Sequence, residues 1–182
     1  MKGSSMIKHA AKLILFSGLM CVSGAYAKYK LQQGDQAPSF KLQDEMGTWR
    51  TLEEFRGKKV VLYFYSKDDT AKSVKQACGF RNQAHIYEAK GMAVVGVNYD
   101  TPESHAEFKA KYQLPFTLLS DTTTQVAKVY GAYGKVPLFN KYFPNRRTFL
   151  INEYGTIVRI IEDVDVVTHA EDVLKEFDSA QR

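Results

Sequence analysis

Hydrophobic and polar positions change period several times along this chain, and each change predicts an element. Lys59 to Tyr65 is almost entirely β-branched or aromatic, which predicts a strand buried on both faces. Met92 to Tyr99 predicts a second buried strand, and Pro115 to Leu119 begins a third. Between the first two, apolar residues recur at helical spacing from Lys72 to Lys90. Val74, Ala77, Cys78, Ile86 and Ala89 are the predicted inner positions. Thr101-Pro102-Glu103 opens the next helix with a cap, a proline in the first turn and an early acid. Thr124 to Tyr130 reads as a short helix stopped by Gly131. Upstream, Phe40 to Leu42 and Thr48 to Arg50 flank Asp44-Glu45-Met46-Gly47 as a hairpin, and Thr51-Leu52-Glu53-Glu54 is a capping box opening one turn that ends near Gly57. Downstream, Thr148 to Asn152 and Thr156 to Glu162 predict an antiparallel pair around Glu153-Tyr154-Gly155. A capping box at Thr168-His169-Ala170-Glu171 opens a final helix reaching about Phe177. Strands alternating with helices, then a hairpin and a terminal helix, predict an α/β sandwich with a mixed central sheet.

Residues 1–27 follow a different pattern. Lys2, Lys8 and Lys12 precede an apolar run from Leu13 to Val22, and Ala25-Tyr26-Ala27 offers small residues where a signal peptidase reads. The run is short for a membrane span, so a cleaved export signal is expected rather than a retained anchor. Cys21 lacks the surrounding residues of a lipoprotein site. The expected organisation is a signal peptide over 1–27 and one domain over 28–182, exported to the periplasm and touching the membrane only through its leader. The leader also changes the charge. Of 25 basic residues three leave with it, so 22 remain against 20 acids, a net charge of +2. That gives no case for a nucleic-acid partner, which needs a clustered basic face.

Loss of Cys21 with the leader leaves Cys78 as the single cysteine, so no internal disulfide can form and no CxxC exchanger is present. Cys78 is either a buried inert thiol or a reactive one. His85, His105 and His169 are scattered over different helices, which predicts solvated or capping roles. They show no metal-ligand spacing, and no cofactor is expected. Tyr130, Tyr133, Phe139, Tyr142 and Phe143 read as core and lid packing, with a groove as the alternative.

The chemistry-bearing stretch runs from Tyr65 through Ser66, Thr70, Ser73 and Gln76 to Cys78 and Arg81. A loop joining the C-terminal end of a buried strand to a helix N-terminus is where an α/β sheet places its ligand. Amides and the helix dipole there favour negative charge. With Gly34 to Phe40, Tyr63-Phe64-Tyr65, Ala77 to Arg81, Glu103-Ser104-His105, Leu114-Pro115-Phe116, Leu118 to Asp121, Val129-Tyr130-Gly131 and Thr148 to Ile151, the segment resembles the bacterioferritin comigratory protein, or peroxiredoxin Q, subfamily of peroxiredoxins.

The resemblance implies a thioredoxin-like fold and thioredoxin-dependent reduction of hydrogen peroxide and organic hydroperoxides. Its partners would be a peroxide and a thioredoxin-like reductant, acting on a monomer or weak dimer. It assigns Ser73 to the peroxidatic position, where the family has cysteine, and Cys78 to the resolving position. Thr70 matches the family threonine and Arg146 the arginine beside the peroxide, with Arg147 one register step away. Ser66 stands where the family has proline, Ala71-Lys72 where it has proline-glycine, and Gln76 where it has glutamate. Ser73 could equally be a plain helix cap. Three readings follow: a peroxiredoxin with weak or lost activity, an inactive binding or regulatory module on the same fold, and a one-cysteine peroxidase using Cys78.

Overall fold

The computed structural model describes residues 30–136 and 141–180, so the leader and Phe139 lie outside the described residues. Lys41–Asp44 (β1) and Trp49–Thr51 (β2) form the expected antiparallel hairpin. Buried Asp44 organises its turn, accepting hydrogen bonds from the amides of Met46 and Thr48 and from Arg50. Gly47 takes φ +74°, which a side chain would resist. Leu52–Phe55 is a single 3-10 turn, closed where the Thr51 amide donates to Glu54 Oε1 at 2.9 Å.

Lys59–Phe64 (β3) is the centre of the molecule. Its side chains alternate between two cores: Val60, Leu62 and Phe64 face one way, Val61 and Tyr63 the other. Both faces are covered, which is why the strand carries no polar alternation. Helix α1 (Ala71–Asn82) and helix α2 (Ala84–Ala89) lead to Met92–Asn98 (β4), which pairs parallel with β3. Helix α3 (Pro102–Tyr112) then leads to Thr117–Ser120 (β5), parallel to β4. After helix α4 (Gln125–Val129), Tyr133–Val136 (β6) and Lys141–Pro144 (β7) form a separate two-stranded ribbon. Arg147–Ile151 (β8) returns antiparallel beside β3, Ile157–Ile161 (β9) pairs with β8, and helix α5 (His169–Ala180) closes the described chain. The main sheet is thus mixed, in the order β2-β1-β5-β4-β3-β8-β9. Gly96 marks its tightest point: a Cβ there would lie 2.8 Å from both Leu118 and Tyr63.

Four local expectations need correction. The single helix expected over Lys72 to Lys90 is two, because at Gln83 the bonds tighten to the 3-10 pattern, with the Gln83 amide on Phe80 O and Ile86 on Gln83 O. The inner face of α1 is also rotated. Ser73, Gln76, Ala77 and Phe80 are buried, Val74 and Cys78 only partly, and Ala89 is exposed. Polar Ser73 and Gln76 turn inward because partners across the fold satisfy them, which an apolar pattern cannot register. At α5, the Thr168 hydroxyl donates to Asp172 Oδ2 at 2.6 Å, so the expected pairing with Glu171 is not the one formed. The β6–β7 ribbon falls where only aromatic packing was expected. Tyr130 on its near side is buried in the first core.

Candidate functional site

The loop from Tyr65 to Thr70 leaves the C-terminal end of β3 and is held by the body of the protein at two points. Asp68 is buried, and its carboxylate accepts from Tyr65 (2.7 Å), Asn98 (3.1 Å), Ser104 (2.9 Å) and His105 Nδ1 (2.8 Å). Burial alone would raise the pKa of this carboxyl. The His105 hydrogen bond and charge, joined by Tyr65 and Ser104, hold it below the ordinary value instead. His105 itself is fully buried, so the solvated or capping role expected for it is wrong. The next residue, Asp69, takes φ +55°, a left-handed conformation that aspartate tolerates better than most side chains. Its carboxylate bonds Lys111 Nζ and Tyr112 Oη, each at 2.6 Å.

Thr70 is the N-cap of α1, and its Oγ1 accepts from the Ser73 amide at 3.4 Å. Ser73 is therefore not the cap. It is the third residue inside the helix, and only 2% of its surface is exposed. The Ser73 hydroxyl lies 2.8 Å from Thr70 Oγ1 and accepts from Arg146 Nη2 at 3.1 Å. The same Nη2 reaches Ser66 Oγ at 3.3 Å, while Nη1 donates to Gln76 Oε1 at 2.5 Å. Arg147, one residue on, bonds Glu162 and Tyr130 O instead.

Gln76 extends the cluster inward. Because its carbonyl oxygen faces Arg146, its Nε2 donates to His169 Nδ1 at 3.0 Å. His169 Nε2 must then carry the proton and donate to Thr148 Oγ1, also at 3.0 Å. Burial, reinforced by the Arg146 cation, pushes the His169 pKa down to about 4, so the ring is neutral near pH 7. His169 is thus a buried link rather than a capping group, contrary to its sequence reading. Burial also lowers the pKa of Arg146, whose acceptors among the described residues are all uncharged. The fold brings Thr70, Ser73 and Arg146 together. Cys78 lies further along α1, partly buried, with a free thiol that takes no part in this network.

Residues 33–160 match the AhpC/TSA family, over most of the described sheet. The chain belongs to that family. Within it, the chain is 40% identical over 146 residues to putative peroxiredoxin bcp of Coxiella burnetii, spanning 79% of this chain and 97% of the relative. It is 41% identical over 128 residues to the chloroplastic peroxiredoxin Q of Populus jackii, spanning 70% and 59%. Among solved structures, a cysteine-to-serine mutant of PrxQ from Xylella fastidiosa superposes with a TM-score of 0.80 at 28% identity, covering 85% of this chain and all of that one. The bacterioferritin comigratory protein of Xanthomonas campestris gives 0.75 at 28% identity, covering 79% and 92%. The peroxiredoxin fold expected from the resemblance is the fold observed. Sequence reasoning missed His169, Thr148 and Asp68 as members of the neighbourhood of Ser73. The buried relay through Gln76 needs residues 93 positions apart, and no local pattern carries that.

Proposed function

We propose that this peroxiredoxin-family protein has weak or no thiol peroxidase activity, because Ser73 occupies the peroxidatic position. One observation carries the reading: the buried Ser73 hydroxyl sits between Thr70 and Arg146, where a reacting group would be polarised. A peroxidatic group must attack the O–O bond as an anion and then hold one oxygen as a sulfenic acid. A thiol can be ionised by these surroundings and can store that oxygen. A hydroxyl can do neither. Among the described residues no general base is supplied either, since both nitrogens of His169 are engaged and Gln76 and Arg146 stand between that ring and Ser73.

The family's peroxide substrates and thioredoxin-like reductant are carried here as the partners of any residual activity. We further propose an exported, periplasmic protein cleaved after Ala27, supported by the basic, apolar and small-residue order of the leader. Intact mass of exported protein beginning at Lys28 is the check. Peroxide consumption by that protein, with a thioredoxin system and beside Cys78→Ala, tests the activity. Turnover far below that of an intact relative is expected, with any residue of it lost on Cys78→Ala. Robust turnover lost with Cys78 would establish the one-cysteine reading instead. Robust turnover that survives the change would rule out thiol chemistry altogether.

A further inference from the structure

We propose that a slot at the foot of β4 binds a short extended peptide, which pairs with that strand as an added β-strand. Peroxide chemistry plays no part in it. The Ser73 loop leaves the C-terminal end of β3, whereas Met92 stands level with Lys59 at the start of that parallel strand.

On its β3 side, β4 is paired from its first residue. On its other side, pairing with β5 starts only at Val95, opposite Thr117. Pro115 explains the gap. The same register would set it opposite Ala93, where it has no N–H to offer. The chain has already left the sheet there, since the Leu114 amide turns back to Lys109 O at 3.0 Å. The alternation of the ladder identifies the groups left over. Gly91 O and Val97 O accept from Lys59 and Tyr65 on the β3 side, and Asn98 O accepts from Asp121 on the β5 side. Odd-numbered residues of β4 therefore bond β3. The amides of Met92 and Val94 and the carbonyl of Met92 face the gap. Among the described residues, no backbone bond outside the ladders involves them.

The gap is walled on both sides, and encloses about 450 Å³. Phe80, Ala84 and Tyr87 line it from α1 and α2, and the Tyr87 hydroxyl is committed to Ala170 O, so this wall is apolar. Phe55 lines the opposite wall, since it packs on the first core while Phe80 and Tyr87 belong to the second.

An occupant must therefore fit between two apolar walls and meet backbone donors and an acceptor at strand spacing. A purely apolar ligand would strip water from those groups and leave them unpaired. An extended peptide satisfies both demands. Its main chain bonds the strand edge, and its alternate side chains reach opposite walls. Three of its residues, at roughly 3.3 Å each, match the stretch from Met92 to Val94. Lys58 and Glu88 also line the slot, are exposed, and make no ion pair among the described residues. A peptide with one base and one acid flanking its apolar residues complements that pair of charges.

The test titrates the mature protein with an acetylated, amidated lysine–valine–valine–glutamate peptide, and with the same peptide N-methylated at both valines. The unmethylated peptide is expected to give saturable amide NMR shifts centred on Ala84, Met92 to Val94 and Thr117. Hydrogen exchange should slow at the amides of Met92 and Val94 and stay unchanged at Ala93, which already bonds β3. N-methylation removes the peptide's donors and should weaken binding about tenfold or more. Ala84→Leu fills the slot and should weaken the unmethylated peptide by a similar factor. Absence of saturation, equal affinity for the methylated peptide, or equal slowing at Ala93 would each overturn the proposal, as would undiminished binding to folded Ala84→Leu. The two peptides are compared on the parent protein, so a folding defect in the variant cannot obscure the result.

Discussion

Replacing the Ser73 hydroxyl by a thiol would set a titratable group among Thr70, Arg146 and the first amides of α1. Arg146 and the helix start stabilise its anion, so the pKa of Ser73→Cys should fall below the ordinary value of about 8.5. Thiol titration against pH reads that shift. Peroxide should then produce a sulfenic acid at position 73 that condenses with Cys78, detectable by peptide mapping. The disulfide requires local unwinding, because residues five apart on an intact helix do not face each other closely enough. An ordinary pKa with no disulfide would mean that the pocket no longer supports a thiolate. Thr70 and Arg146 were read as matches to the family pattern, and Ser73 as a substitution at its centre. Ser66 and Gln76 were legible only as departures, and their joint service to one guanidinium emerges from the fold.

At the scale of elements, the loop between β3 and α1 depends on Asp68 more than on its own chain. Asp68→Asn keeps the shape but removes the charge and turns one acceptor into a donor, facing groups that already donate. A loss of about 2–4 kcal/mol is expected in urea unfolding, the usual cost of leaving a buried pair half made. A change within about 0.5 kcal/mol, the range of an ordinary surface substitution, would show that the other contacts hold the loop without it. The strands β3 and β4 were readable because burial on both faces leaves a nearly unbroken apolar run, and β5 from the apolar residues that follow Pro115. The α1–α2 boundary was not, since no proline or glycine marks Gln83 and the apolar spacing continues past it. Buried His105 was misread for a related reason. Its partner Asp68 lies 37 residues back on another element, and burial of a histidine is decided by that partner.

For the whole molecule, pH should act through His169. Its folded pKa, about 4, lies below the model-peptide value of about 6.5, so between those values the unfolded chain binds a proton that the folded one refuses. Stability should therefore fall as pH drops through that window, by about 3 kcal/mol, and level off below it. Asp68, with a lowered pKa, adds its own loss only at still lower pH, below its ordinary value near 3.8. Burial raises the pKa of Asp121, which acts in the opposite sense just above that value, so the clean measure is a difference. Urea unfolding of the parent and His169→Gln at several pH values should give curves that converge from pH 6.5 to 4. Parallel curves would mean that His169 titrates normally. The order of synthesis bears on the same cluster. Gln76 waits 70 residues for Arg146 and 93 for His169, so a chain emerging from the ribosome makes the loop early and its inner wall last. Until α5 has been released and docked, the amide of Gln76 lacks its imidazole, although the acceptors of Arg146 have all been made. A nascent or C-terminally clipped chain can thus own nearly the whole central sheet and still have no finished pocket.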